Sequence, residues 1–343
     1  MQSSNITDPD RLPTAISMGD PAGIGPEVIG KAWANRHHAA LKPFFAVGDV
    51  AAFAPHWNGP AVQISDPTEC AAMFDTALPV VNVSQCGDVT PGAPDAIGAR
   101  CAFQALEMAV GFARNGNAGA VVTGPVSKAQ LYDVGFTHPG QTEFVAERCG
   151  VSTLNATMML AGPDLRVVPL TTHMALANVR GALTAELIEA RLLATQKGLT
   201  RNFGIATPRL ALAGYNPHAG ENGNLGDEEI ALFGPVLEKL RSEGMDVAGP
   251  LPADTMFHQA ARARYDAAVC AYHDQALIPI KTLYFDSAVN LTLGLPIIRT
   301  SPDHGTAFDI AGQNKASPSS MIAALRMASD CAVHRAVYDA QYG

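Results

Sequence analysis

Short apolar runs alternate with longer stretches of helical spacing along the whole chain. TAISM, FFAVGD, AVQIS, LPVVNV, GAVVTGP, LRVVPLTTH, RLALAGYNPH and AAVCAYHD predict strands. Several are apolar throughout, as strands buried on both faces of a parallel sheet are. Between them, Ile97, Cys101, Ala105, Met108 and Phe112 recur at the helical period, as do the leucines of LTAELIEARLLATQKGL. DEEIALFGPVLEKLRSEGM opens on acids and closes on Lys239, Arg241 and Gly244, which suits the helix dipole and a glycine C-cap. The alternation predicts a doubly wound α/β protein. A chain of 343 residues is long enough for two lobes, although no linker marks a boundary. The expected organisation is a flexible polar tail over 1–13 and one catalytic unit of two α/β lobes over 14–343.

Composition narrows the class. Hydrophobic residues make up 48% and charged residues 16%, the balance of a packed globular protein. The formal charge of −9, from 32 acidic and 23 basic residues, argues against nucleic acid but leaves room for a small anion held by a few cations. No apolar run is long enough to cross a bilayer. The opening MQSSNITDPDRLP lacks a basic region followed by an apolar core and predicts no secretory signal, so the Asn5-Ile6-Thr7 sequon reads as chance. The cysteines Cys70, Cys86, Cys101, Cys149, Cys270 and Cys331 are scattered without C-x-x-C, which predicts buried free thiols in a reducing cytoplasm.

Three histidines share one context. LRVVPLTTH ends in His173, RLALAGYNPH in His218 and AAVCAYHD in His273. Ligands of open α/β sheets bind at the carboxyl ends of the strands, so the three rings are expected to converge. Imidazole is the commonest ligand of zinc-like ions, and three protein ligands leave a position for substrate. A structural role remains the competing reading for each ring taken alone. Asp274, beside His273, is a candidate partner of a metal ligand or a proton acceptor.

Other segments add polar chemistry. GDPAGIGPEV opens a helix with Pro26 near its start, but its glycines do not make G-x-G-x-x-G, and Asp20 and Glu27 would repel a phosphate; a demanding turn is the alternative. In PGQTEF, Thr142 is a candidate N-cap or ligand contact. The glycine-rich loop NPHAGENGNLGDEE surrounds His218. Lys281, Asn290 and Arg299 close the runs LIPIK, AVN and LPIIR at the edge expected for His273, where long cations suit a phosphate or carboxylate.

HGTAFDIAG resembles the H-G-[ST]-A-x-x-x-A-G stretch of the β-decarboxylating dehydrogenases, the isocitrate and isopropylmalate dehydrogenase group. The resemblance implies that His304, Gly305, Thr306 and Ala307 line an adenosine site, with Asp309 favouring NAD over NADP through a ribose hydroxyl. GDPAGIGPE, VTGPVSK, TEF, TTH, NPHAGE, GPLPADT, YHDQALIPIK, NLTLGLP and IRTSPDHGTA, in that order, resemble the 4-hydroxythreonine-4-phosphate dehydrogenase family of vitamin B6 biosynthesis across nearly the whole chain. That likeness implies an isocitrate/isopropylmalate dehydrogenase-like fold, two α/β/α lobes with the active site in the cleft between them. It also implies one divalent metal (Zn, Mg or Co) on His173, His218 and His273, and substrate contacts at Gln141, Thr142, Lys281, Asn290 and Arg299. A cytoplasmic homodimer with active sites at the subunit interface follows too. One departure stands out: the family commonly has G-H-T-E-F, and this chain has Gln141, which keeps a donor but cannot become cationic.

The expected reaction is NAD(P)-dependent oxidation of the secondary alcohol of 4-phosphooxy-L-threonine, then decarboxylation of the β-keto acid to 3-amino-2-oxopropyl phosphate. The metal would lower the pKa of the hydroxyl, and Asp274 and Lys281 are the candidate bases. Two alternatives stand beside it: a paralogous dehydrogenase of phosphothreonate or a cis-dihydrodiol carboxylate, and a metal-dependent hydrolase using a zinc-bound water. An anion-binding protein without turnover gives the nucleotide loop no purpose.

Overall fold

The computed structural model describes residues 12–83 and 85–342. The tail expected over 1–13 therefore lies, as far as residue 11, outside the described residues, and so does the sequon. Among the described residues twelve strands follow one another: β1 (Thr14–Ser17), β2 (Phe44–Gly48), β3 (Ala61–Ile64), β4 (Leu78–Asn82), β5 (Ala120–Thr123), β6 (Thr157–Ala161), β7 (Arg166–Pro169), β8 (Leu210–Ala213), β9 (Val247–Leu251), β10 (Ala267–Cys270), β11 (Val289–Leu293) and β12 (Arg299–Pro302). All eight strands expected from apolar runs form. The other four, β6, β9, β11 and β12, are mixed or proline-bearing; β9 holds Pro250 and runs along a sheet edge, where proline is tolerated.

The chain divides into two units, residues 1–149 with 296–336, and residues 150–295 with 337–343. In the first, strands run β3-β4-β2-β1-β5-β12, all parallel. In the second the order is β11-β6-β7-β10-β8-β9, with β6 antiparallel to both its neighbours and the rest parallel. This is the α/β class read from the sequence, with the second unit carrying an antiparallel segment. Among the described residues, no helix is long and apolar enough to cross a membrane.

In the second unit the strands that precede the three histidines are neighbours. β7 pairs with β10 and β10 with β8, all parallel, with Cys270 opposite Pro169 and Val269 opposite Leu212. Val168, Leu212 and Val269 are fully buried, each worth about 1.5–3 kcal/mol of apolar transfer. The strand ends are then tied crosswise by side chains. Thr171 Oγ1 donates to Ala271 O at 2.9 Å. Gln275 accepts from Ala271 N at 2.7 Å and donates to Gly214 O at 2.8 Å.

In the first unit GDPAGIGPEV forms a tight turn rather than a phosphate cradle. Gly19 has φ +79°, and a Cβ there would lie 2.4 Å from Pro125 O. Asp20 accepts from Ala22 N at 3.0 Å, and Glu27 Oε1 accepts from the Lys31 ammonium at 2.8 Å and the Ala316 N–H at 2.9 Å. Both acids are structural. The expectation of six free thiols is corrected: Cys86, between β4 and the following helix, is bonded to Cys101 on helix Ala96–Arg114, with Cα atoms 5.4 Å apart. Cys70, Cys149, Cys270 and Cys331 are in no disulfide among the described residues.

Burial, with the nearby Asp95 charge reinforcing it, raises the Asp20 carboxyl above its ordinary value, against the lowering effect of the Ala22 N–H. A carboxyl raised by folding favours the native state below its unfolded pKa and loses that contribution as pH rises through the folded value. Asp20→Asn keeps the acceptor and removes the buried charge. The expected result is a melting temperature above the parent's at pH 8, with the difference shrinking toward pH 4 in paired thermal melts.

Candidate active site

Each candidate metal ligand stands a few residues past its strand. His173 follows β7, His218 follows β8, and His273 is the first residue of helix His273–Tyr284 after β10. The structure brings two of them together: the His173 and His273 rings lie 5.6 Å apart, centroid to centroid. Asp274 Oδ1 holds His273 Nδ1 at 2.7 Å, which turns Nε2 away from the carboxylate, the usual way a metal-binding imidazole is oriented. A cavity of ≈ 400 Å³ opens beside the pair, lined by Thr172, Met174, Leu176, Val179 and Tyr272 among others. His218 is not drawn into the pair, and among the described residues no group of three or more His, Cys, Asp or Glu is arranged to hold a metal ion.

Backbone strain marks the same places. His173 has φ +33°, His218 +53° and Ala307 +43°. Left-handed conformations cost an ordinary residue on the order of 1–2 kcal/mol, and they persist where the surrounding structure over-determines them. Three expected site segments thus account for much of the left-handed backbone outside glycine.

The expected substrate contacts divide between the units. In the first, Arg299 on β12 is 3% exposed. Its Nη2 donates to Thr123 Oγ1 at 2.7 Å and its Nη1 lies 3.5 Å from Thr142 Oγ1. Burial pushes its pKa down to about 10, with the Glu143 charge opposing. Thr142 is not an N-cap: Gly140 occupies that position of helix Gln141–Arg148 without a side-chain cap. The Gln141 amide donates to Gly124 O at 3.2 Å, leaving Oε1 buried without a partner. One of the two Nε2 hydrogens is thus committed to backbone, and the buried Oε1 is an acceptor that a hydroxyl or ammonium would satisfy.

In the second unit Lys281 is not at a strand end but on helix His273–Tyr284, about two turns beyond His273. Asn290 is on β11, its Oδ1 buried without a partner. The loop expected to line an adenosine site follows β12. Thr306 O accepts from Ile24 N at 2.9 Å, His304 Nε2 is buried without a partner, and Asp309 is exposed. Orphaned buried atoms at Gln141, Asn290 and His304 fit groups that a substrate and a nucleotide would satisfy. The carboxylate-oriented His273 beside His173 fits a divalent cation.

Residues 40–328 match the protein family described as pyridoxal phosphate biosynthetic protein PdxA. The chain belongs to this family. It is 54% identical to a 4-hydroxythreonine-4-phosphate dehydrogenase of Zymomonas mobilis, over 95% of this chain and 97% of that one. The crystal structure of a 4-hydroxythreonine-4-phosphate dehydrogenase from Klebsiella pneumoniae superposes with a TM-score of 0.84 at 36% identity, covering 94% of this chain and 99% of that one. A terephthalate 1,2-cis-dihydrodiol dehydrogenase from Burkholderia xenovorans superposes at 0.67 and 31% identity, covering 93% and 98%.

Sequence reasoning missed Thr123, the buried partner of Arg299, and Gln275, which ties the β10 and β8 ends. A threonine closing an apolar strand and a glutamine two residues after His273 are the signals that could have found them. Asp274→Asn should weaken zinc binding to the metal-free protein by about 10–100-fold, measured by competition with a chromophoric chelator, while thermal stability stays near the parent's.

Proposed function

We propose that the chain is a 4-hydroxythreonine-4-phosphate dehydrogenase. It transfers hydride from the C3–H of 4-phosphooxy-L-threonine to NAD, releasing the hydroxyl proton. The β-keto acid so formed loses carbon dioxide to give 3-amino-2-oxopropyl phosphate. The observation that carries this reading is the His173–His273 pair, oriented by Asp274, in a chain half identical to enzymes of that name.

His173, His218 and His273 would hold a divalent cation (Zn, Mg or Co), which would supply a lowered hydroxyl pKa and a polarised carbonyl. Asp274 fixes the ring of His273, which makes it an orienting group and leaves Lys281 as the proton acceptor. Arg299 binds an anionic group of the substrate, with Thr142 beside it and Thr123 behind it. Gln141 Oε1 accepts from the substrate's ammonium or hydroxyl, and Asn290 Oδ1 from a second donor. His304, Gly305, Thr306 and Ala307 hold the adenosine, and Asp309 disfavours a 2′-phosphate, hence NAD over NADP. The family likeness supports a cytoplasmic homodimer. Exposed Leu176, Ile230, Ile278 and Phe285, at 65%, 59%, 63% and 74%, supply apolar surface for the partner copy.

A second reading, oxidation of a cis-dihydrodiol carboxylate, is favoured by one observation: Met174, Leu176 and Val179 give the cavity beside the histidine pair an apolar wall. A hydrolytic role finds no such support.

The deciding measurement is NADH absorbance with the metal-loaded protein. Turnover should require 4-phosphooxy-L-threonine, metal and NAD together, with phosphothreonate and dihydrodiol carboxylates slower. NADH formation with only one of those two, or substrate hydrolysis without NAD, overturns the proposal. His218→Ala should lower kcat/KM by roughly a thousandfold or more, because the metal contributes several kcal/mol and each ~1.4 is tenfold.

A further inference from the structure

The segment that carries His218 has an unusual backbone. His218, Ala219, Gly220, Glu221 and Asn222 are all left-handed, with φ from 43° to 81°, a complete left-handed turn in which only one residue is glycine. At on the order of 1–2 kcal/mol for each ordinary residue, such a turn does not persist unless something outside it compensates.

That something is a buried carboxylate. Glu229 is 4% exposed. Its Oε1 accepts from Asn216 N at 2.7 Å and its Oε2 from Asn216 Nδ2 at 3.0 Å, so both oxygens grip the residue that starts the turn. The carboxylate also lies against the turn itself: a Cβ on Gly220 would sit 2.8 Å from Glu229 Oε2. Glu229 begins a π-helical turn, Glu229–Phe233, ahead of Pro235. Proline cannot donate to the carbonyl four residues back and crowds it, so the helix widens there, and π-turns recur at functional sites. Glu228 reaches Asn216 Nδ2 as well, at 2.7 Å.

We propose that Glu229 is the positioning residue for His218: it clamps Asn216 and thereby holds the left-handed turn that presents the imidazole to the metal. The proposal rests on the reading of His218 as a metal ligand. It needs no change in the ionisation of Glu229. Glu229→Gln keeps the shape but turns one oxygen into an amide donor facing another donor on Asn216, which releases the clamp.

The test uses the full-length, metal-free protein and zinc or cobalt(II) as probe. Zinc affinity is measured by chelator competition, together with the cobalt(II) ligand-field spectrum and hydrogen exchange across 216–226, for the parent, His218→Ala, Glu229→Gln and Asn216→Ala. Glu229→Gln should lose about 10–100-fold in zinc affinity, exchange faster across the loop and change the cobalt spectrum, and excess metal should restore its turnover. His218→Ala should lose affinity without such rescue. A folded Glu229→Gln with parental zinc affinity overturns the proposal. If that variant does not fold, Asn216→Ala, which removes only one of the two donors, decides it by the same readings. An unchanged affinity in His218→Ala instead overturns the ligand assignment beneath it.

Discussion

The arrangement depends on the parallel pairing of β7, β10 and β8. Three adjacent strands, buried on both faces, stop within a few residues of one another, and their ends are cross-tied by Thr171 and Gln275. Side chains alternate with a period of two, so a one-residue slip would turn the buried set outward and is strongly disfavoured. Each histidine is thus placed by the sheet and by its own short excursion beyond it, not by a local metal-binding motif. This explains both why the spacing in sequence is so long and why strain collects at His173 and His218.

Much of this was legible in the sequence. The eight apolar strands and the shared context of the histidines follow from hydrophobic pattern alone, and the pattern places all three histidines at one edge. What escaped was held by residues whose usual explanation is sufficient. Acids opening DEEIALFGPVLEKLRSEGM suit a helix dipole, so nothing flagged Glu229 as a clamp, although Pro235 inside the run hinted at an irregular turn. Lys281 read as closing an apolar run at the edge of His273, and the run LIPIK continues the helix opened by His273. Thr142 read equally well as a cap, and the helix start rules the cap out, with Gly140 in that position. The Cys86–Cys101 bond joins residues with no shared motif, and scattered spacing concealed it.

The first unit shows how a cation is kept in an apolar strand. Arg299 sits on β12 with hydroxyls of Thr123 and Thr142 as partners, and burial depresses its pKa. Hydroxyls satisfy donors without neutralising charge, and the Glu143 carboxylate acts on the guanidinium as well, opposing the effect of burial. Gln141 beside it adds an acceptor rather than a second cation. On the reading proposed above, a cationic Arg299 and a neutral Gln141 would together suit a substrate carrying both signs.

The loop from His304 to Gly312 is anchored at either side to the start of the chain. Thr306 O takes the Ile24 N–H, and beyond the loop the Lys31 ammonium binds the carbonyls of Asn314 and Ala316 at 3.1 and 2.8 Å. Its ordering entropy is thus lost when the protein folds, and would not be lost again on binding the nucleotide that the proposed function assigns to it. A dinucleotide would meet a surface already in shape, so exchange of spent for fresh coenzyme would be governed by contacts broken on departure and not by a waiting time for the loop to assemble.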